Sequence, residues 1–353
     1  MNSEKPTRNL ALELVRVTEA AALSAGRFMG RGQKEVADKA AVDAMRLVLN
    51  SIDMEGVVVN GEGEKDEAPM LFNGEVLGTG KPPLVDLAVD PIDGTRPLAN
   101  GFLNSIATVS IAPRGSMFNP GPFVYMDKIA VGPPAAGKID IEAPLEDNLE
   151  IIAKSEGKHI KDVTVIMLQR PRHDELINKV REIGARIRLI PDGDVAAALM
   201  TCLPESGIDV LLGIGGTPEG VLAACALRAM GGELQGKLYI RNDEERNLGL
   251  DMGMDLDLVI TMDDLVAHYY FRFAAKDQPG VLSTIAGILG EYGISIQSVQ
   301  QKGRKSTGSV PVVMLTHQAR EADVQEAFRR IAALDVVEEK PMLIRLEDAN
   351  GLD

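Results

Sequence analysis

Five carboxylates stand at the ends of apolar runs in the first 220 residues: Asp38, Glu62, Asp90, Asp93 and Glu219. The densest part of the set is Ala88-Val89-Asp90-Pro91-Ile92-Asp93-Gly94-Thr95-Arg96, where a strand-like run over residues 84–89 leads into two acids, a proline and a glycine turn. Acids crowded into a poorly solvated pocket repel one another unless a cation lies between them, so the pattern asks for a hard divalent metal. Metal-assisted phosphate chemistry is the first expectation. Taken singly, the other acids say less. Asp38 alone reads better as the N-cap of a helix reaching residue 49. Glu62, in Asn60-Gly61-Glu62-Gly63-Glu64, follows an apolar run, and strand ends commonly form sites, but a solvated turn accounts for it equally well.

These acids need elements to carry them. Leu10, Leu14, Val17 and Ala21 share one helical face over about residues 8–28, and Gly30 and Gly32 end it. Apolar runs at 57–59, 84–89, 106–111 and 125–131 read as strands of one sheet. From residue 163 strands at 163–168, 187–190 and 210–214 alternate with helices at 174–183, 194–200 and 220–230, the signature of a largely parallel α/β layer. Residues 242–257 read as loop. Beyond them the order is β-α-β-β-α-β, with an Asp277-Gln278-Pro279-Gly280 turn after the first strand, which predicts a small ferredoxin-like domain. The expected domains are 1–132, 133–262 and 268–347.

Composition bounds the function classes. A chain of 353 residues with 45% hydrophobic and 25% charged residues is an ordinary globular one, and its net charge of -15 argues against nucleic-acid or anionic-membrane partners. Cys202 and Cys225 sit in apolar helical contexts and read as reduced core residues, so a cytoplasmic setting is expected. The N-terminus has no uninterrupted apolar stretch of the signal-peptide kind. The four histidines, His159, His173, His268 and His317, do not cluster, which disfavours a histidine-ligated zinc. The run Gly213-Ile214-Gly215-Gly216-Thr217-Pro218-Glu219-Gly220 has Pro218 where a dinucleotide fingerprint needs glycine, so it is not an NAD site.

Several long motifs in order resemble the class II fructose-1,6-bisphosphatases of the lithium-sensitive, inositol-monophosphatase-like superfamily, over residues 8 to about 240. They are Arg16-Val17-Thr18-Glu19, Gly30-Arg31-Gly32 with Lys34, Ala37-Asp38, Gly61-Glu62-Gly63-Glu64 with Asp66-Glu67-Ala68-Pro69-Met70, and Asp90 to Arg96. Tyr125-Met126, Arg170-Pro171-Arg172-His173-Asp174, Pro191-Asp192-Gly193-Asp194 and Gly213-Ile214-Gly215-Gly216 with Pro218-Glu219-Gly220 follow. The resemblance implies a layered α/β/α/β/α sugar-phosphatase fold acting in gluconeogenesis on the 1-phosphate of fructose 1,6-bisphosphate. It implies two Mn²⁺ or Mg²⁺ ions, one on Asp38 and Glu62 and a second on Asp90, Asp93 and Glu219, with Glu62 also counted among the catalytic groups. Thr95, helped by Lys34, would relay a proton from the attacking water. Asp93, Gly94 and Thr95 would meet the reacting phosphate, while Tyr125, Arg170, Pro171, Arg172, Asp192, Gly193, Asp194 and Gly216 would hold the sugar and its distal phosphate. Arginine suits that task because its planar fork bonds two oxygens at once.

Two departures from the family go with this. Asp93 stands where the family usually has the longer Glu, and Lys39 where a small residue is usual. The family also continues past the point at which this chain changes character, so the second layer is expected to be shortened. There, residues 268–347 resemble an ACT domain, most closely that of bacterial homoserine dehydrogenases, through His268-Tyr269-Tyr270-Phe271-Arg272-Phe273, the Asp277 to Leu282 turn, Gly293-Ile294-Ser295-Ile296 and Val310 to His317. The resemblance implies an amino-acid effector near Asp277 and Gly280 and a homo-oligomer, dimer or tetramer. The alternative reading is a non-catalytic amino-acid-binding or oligomerising protein built on the shortened phosphatase layer.

Overall fold

The computed structural model describes residues 9–61, 71–260, 266–301, 309–338 and 341–346. Contacts divide the chain into two units, Met1–Ile260 and Thr261–Asp353.

The first unit opens with α1 (Leu10–Gly26) and α2 (Lys34–Leu49), whose buried stripes, Val17, Ala21 and Ala25 on one and Ala37, Ala41, Met45 and Leu49 on the other, recur at helical spacing. They cover one face of a four-stranded sheet made of β1 (Glu55–Asn60), β2 (Val76–Leu77), β3 (Leu84–Asp93) and β4 (Ile106–Pro113), in the order β2-β1-β3-β4. β1 and β3 run parallel, so Asn60 and Asp93 end at the same edge. A short helix, α3 (Thr95–Asn100), follows β3.

The second sheet is built from β5 (Tyr125–Val131), β6 (Thr164–Leu168), β7 (Arg186–Ile190), β8 (Val210–Gly216), β9 (Glu233–Leu238) and β10 (Val259–Ile260), in the order β10-β9-β5-β8-β6-β7. Its helices are α4 (Leu145–Glu156), α5 (Asp174–Ile183), α6 (Asp194–Met200), α7 (Thr217–Met230) and α8 (Asp243–Asp251). Side chains alternate across the sheet as the two-residue strand period demands. Ala130, Ile166, Leu168 and Leu211 join a core with Val195, Ala197, Val221 and Ala223 of α6 and α7. Ile129, Val131, Val165, Met167, Val210 and Leu212 face α4 and α5. Ala88 of β3 belongs to the first of these cores, which places α6 and α7 between the two sheets. The α/β/α/β/α order therefore holds, and the second sheet has both faces covered.

Three expectations change. Residues 125–131 do not extend the first sheet: β5 lies antiparallel between β8 and β9. Neighbouring strands in sequence usually pair, but here the passage over residues 114–124 delivers the strand to the other sheet. Asp38 is not an N-cap, because α2 begins four residues earlier and carries Asp38 on its second turn. Residues 242–257 contain α8, whose start Asn242 caps by accepting from Glu245 N at 2.9 Å. Its exposed, acid-rich surface hid the helical period.

The second unit comprises β11 (Val266–Lys276), α9 (Val281–Glu291), β12 (Ile296–Gln301), β13 (Ser309–Thr316), β14 (Ala319–Arg320), α10 (Glu321–Ala332) and β15 (Met342–Leu346). The main strands are antiparallel in the order β12-β13-β11-β15, the ferredoxin-like arrangement. Tyr269, Phe271, Phe273 and Ala275 point alternately inward against Ile285, Leu289, Val324 and Ile331 of the two helices. Tyr269 keeps its hydroxyl satisfied by donating to Glu321 Oε2 at 2.6 Å.

Candidate active site

The site is built where strands of the two sheets end. Near the end of β3, Asp90 is buried and its Oδ1 accepts from Ile92 N at 2.9 Å, a local turn of the chain inside the strand. The register against β4 breaks between Asp90 and Asp93. Asp93 is buried too, and its Oδ2 accepts from Ala196 N of α6 at 3.1 Å. That bond ties the end of the first sheet to the Asp192-Gly193-Asp194 turn of the second layer. Gly193 makes the approach possible: it sits at φ +87°, and a Cβ there would lie 3.1 Å from Asn104 O and 3.7 Å from Asp93 Oδ2. Gly94 starts α3, with half-buried Thr95 as the first helical residue, and Gly94 O accepts from Ser105 Oγ at 2.7 Å.

The glycine run between β8 and α7 has a steric purpose. A Cβ at Gly216 would collide with the Glu219 carboxylate, which curls back over the first turn of α7. A Cβ at Gly215 would collide with Asp194 Oδ2 and stand 2.7 Å from Lys128 Nζ. Lys128, on β5, is buried and pairs with Asp194 at 2.5 Å, and it also donates to Gly216 O at 3.0 Å. Sequence reasoning passed over this lysine. Its signal was a single cation next to Asp127 in a strand whose other residues from Met126 to Val131 are apolar.

Electrostatics follow from this crowding. Burial pushes the Asp93 carboxyl well above the ordinary carboxylate range, and Asp194, Glu219 and Asp192 push it further against the Ala196 hydrogen bond. Burial also raises Glu219, with Asp194 adding to the shift and Lys128 opposing it. Four acids from three segments thus meet, with one buried lysine paired to Asp194. Such a cluster is stable only if protonated or offset by positive charge.

Along the same edge of the second sheet, Arg170 donates to Pro191 O at 2.7 Å and lies 3.5 Å from Asp192. Pro171 opens a short 3-10 turn, Pro171–His173. Arg172 donates to Ile214 O at 2.8 Å and stacks over the Tyr125 ring at 5.1 Å, while Arg241 stands 5.6 Å from the same ring. Tyr125 pairs with Gly216 across β5 and β8. Arg241 is a second residue that sequence reasoning missed. His173 is structural. It is buried, its Nδ1 lies 2.7 Å from Leu168 O and its Nε2 accepts from Ile214 N at 2.8 Å. Those partners fix the neutral tautomer with the proton on Nδ1.

Asp38 and Lys34 form a separate group on the first two turns of α2, where Lys34 is exposed. Asp38 Oδ1 is buried without a hydrogen-bond partner among the described residues. Burial raises the Asp38 pKa, and Lys34 opposes the rise. Glu62 lies outside the described residues. Among those described, no three Asp, Glu, His or Cys side chains close into a metal cage.

The family model described as bacterial fructose-1,6-bisphosphatase, glpX-encoded, matches residues 8–282. The chain belongs to this family. The ACT-domain model matches residues 269–335, overlapping the first match over residues 269–282. Escherichia coli K12 fructose-1,6-bisphosphatase 1 class 2 is 46% identical over 281 residues, 76% of this chain and 83% of that protein. The class 2 fructose-1,6-bisphosphatase of Shigella flexneri matches to the same extent. Among solved structures, a Thiobacillus denitrificans homoserine dehydrogenase gives a TM-score of 0.24 at 18% identity, with 64% of each chain covered, too low to argue from. No helix among the described residues is long and apolar enough to cross a membrane.

Proposed function

We propose that the chain hydrolyses the 1-phosphate of fructose 1,6-bisphosphate, giving fructose 6-phosphate and inorganic phosphate, with divalent cations at the acidic site. The observation that carries this reading is Asp93: at the end of the first sheet, buried, bonded to Ala196 N at 3.1 Å, and beside Asp192, Asp194 and Glu219 of the second layer.

The residues fit a hard cation. Every candidate donor is a carboxylate oxygen, which suits Mg²⁺ and Mn²⁺. Asp38 keeps a buried, unpartnered oxygen among the described residues. Asp93 and Glu219 are held in a cluster whose mutual repulsion a cation would relieve. Asp38 and Glu62 would hold one ion, and Asp90, Asp93 and Glu219 the second. Bound divalent ions would neutralise charge on the phosphoryl oxygens.

The chain supplies the rest. Thr95 Oγ1 takes a proton from the attacking water as its own hydroxyl proton passes to a carboxylate of the acidic site, with Lys34 helping through its charge, and the backbone N–H groups after Gly94 hold the reacting phosphate. Arg172, stacked on Tyr125, and Arg170, beside Asp192, hold the distal phosphate and the sugar, so that the reacting bond is presented to the acids. The Asp192-Gly193-Asp194 turn and Gly216 complete the sugar contacts. The ACT-like unit would bind an amino-acid effector near Asp277 and Gly280, and the chain would act as a homo-oligomer.

Phosphate release from fructose 1,6-bisphosphate tests this. Activity is expected with Mn²⁺ or Mg²⁺ and not with a chelator. Asp90→Asn and Glu62→Gln should each lower kcat by about 100-fold or more, the usual size of a lost electrostatic contribution. Undiminished turnover in both variants would overturn the assignment.

A further inference from the structure

We propose that Lys128 is a positioning residue that holds Asp194 out of the metal-ligand set and so keeps the cluster able to accept a bisphosphate. The proposal rests on the metal-dependent reading above and goes beyond it.

The geometry points to a fixed clamp. Lys128 is only 3% exposed, and its Nζ bonds Asp194 Oδ2 at 2.5 Å and Gly216 O at 3.0 Å. The backbone is cut away to admit it. A Cβ at Gly215 would meet Nζ at 2.7 Å, and one at Gly220 would meet Lys128 Cδ at 3.2 Å. A lysine enclosed on several sides by glycine backbone is positioned, not adventitious.

Asp194 begins α6, two residues before Ala196, whose N–H holds Asp93. It therefore stands among Asp93, Asp192 and Glu219, close enough to raise the pKa of both Asp93 and Glu219. Without Lys128, its carboxylate would be a further hard oxygen donor next to the second metal position. Extra negative charge there would favour a cation and repel a substrate carrying two phosphates. Pairing Asp194 with Lys128 cancels one charge and fixes the Asp192–Asp194 turn against the end of β8. The Gly216 contact places the residue before α7, and with it Glu219.

The test compares the full chain with Lys128→Met, which keeps the stem and removes the charge. Mn²⁺ affinity is read by calorimetry and kinetics with fructose 1,6-bisphosphate, normalised to the cooperatively folded fraction. Lys128→Met should bind Mn²⁺ about fivefold more tightly and raise KM about tenfold or more, with a smaller change in kcat, as expected for lost ground-state binding. A purely structural lysine would lower the melting temperature and leave both constants of the folded fraction unchanged. Unchanged or weaker Mn²⁺ binding overturns the proposal.

Removing one partner of a buried pair leaves the other charge uncompensated and is strongly destabilising, whereas removing both charges is tolerated better. Lys128→Met with Asp194→Asn is therefore the second variant. It should bind Mn²⁺ within about threefold of the parent, since Asp194 is not a ligand in the intact site. Loss of Mn²⁺ binding in it would make Asp194 a metal ligand and overturn the proposal. If the parent itself neither binds Mn²⁺ nor releases phosphate, the underlying functional reading fails independently of any Lys128 variant.

Discussion

Asp93 meets two opposed demands. Catalysis needs it ionised, while its surroundings favour the protonated form, because burial and three neighbouring acids raise its pKa well above 3.8. From the ordinary carboxylate range up to that raised value the folded chain binds more protons than the unfolded one. Stability of the metal-free protein therefore falls as pH rises through this window and is regained on acidification. Glu219, raised from 4.5, acts in the same direction. Thermal unfolding followed upward in pH from the ordinary carboxylate range should show a negative slope without metal that saturating Mn²⁺ removes, whereas a positive metal-free slope would contradict the placement. Asp93→Asn should stabilise the metal-free protein by about 1 kcal/mol or more while abolishing turnover. Gly216→Ala tests the curl of Glu219. It should lower kcat/KM by about 100-fold and cost roughly 1–3 kcal/mol, read by kinetics and denaturant unfolding. At this scale the crowding around Asp93 was legible because two acids three residues apart after an apolar run need no knowledge of the fold, whereas Asp192 and Asp194 read only as part of a turn. Lys128 and Arg241 were not, since each acquires its role from partners far away in sequence, Asp194 and Tyr125.

Elements bring the acids together by ending at a common edge. β6, β7 and β8 run parallel, and beyond their carboxyl ends lie Arg170, Asp192 and Thr217. His173 fastens two of these ends, from Leu168 O to Ile214 N. Removing it leaves a buried acceptor and donor unpaired, so His173→Ala should cost about 2–4 kcal/mol in denaturant unfolding and leave metal affinity within about twofold. The strand-helix alternation from residue 163 was readable because each element carries its own period. The sheet membership of β5 was not, because a buried strand has the same pattern in either sheet. Asp38 misled for a local reason: an acid inside a helix's second turn looks like a cap when the first turn, Lys34-Glu35-Val36-Ala37, lacks a strong cap before it.

At the scale of the molecule, two units with separate cores share one chain. The second unit buries Tyr269, Phe271 and Phe273 against its own helices, so residues 261–353 should fold alone. Circular dichroism of that fragment should show a cooperative thermal transition, and its absence would mean that the unit needs the rest of the chain. The change of character near residue 262 was legible in the sequence because a turn-helix-strand pattern of a different size begins there.

The central claim is that water cleaves the 1-phosphate of fructose 1,6-bisphosphate at this acidic edge with divalent metal present. Phosphorus NMR of turnover in oxygen-18 water tests it most directly. The expected result is fructose 6-phosphate together with inorganic phosphate that has gained one heavy oxygen, formed with Mn²⁺ and not with a chelator. Intact substrate, release of the 6-phosphate, or label incorporated into the sugar instead of the phosphate would contradict the account.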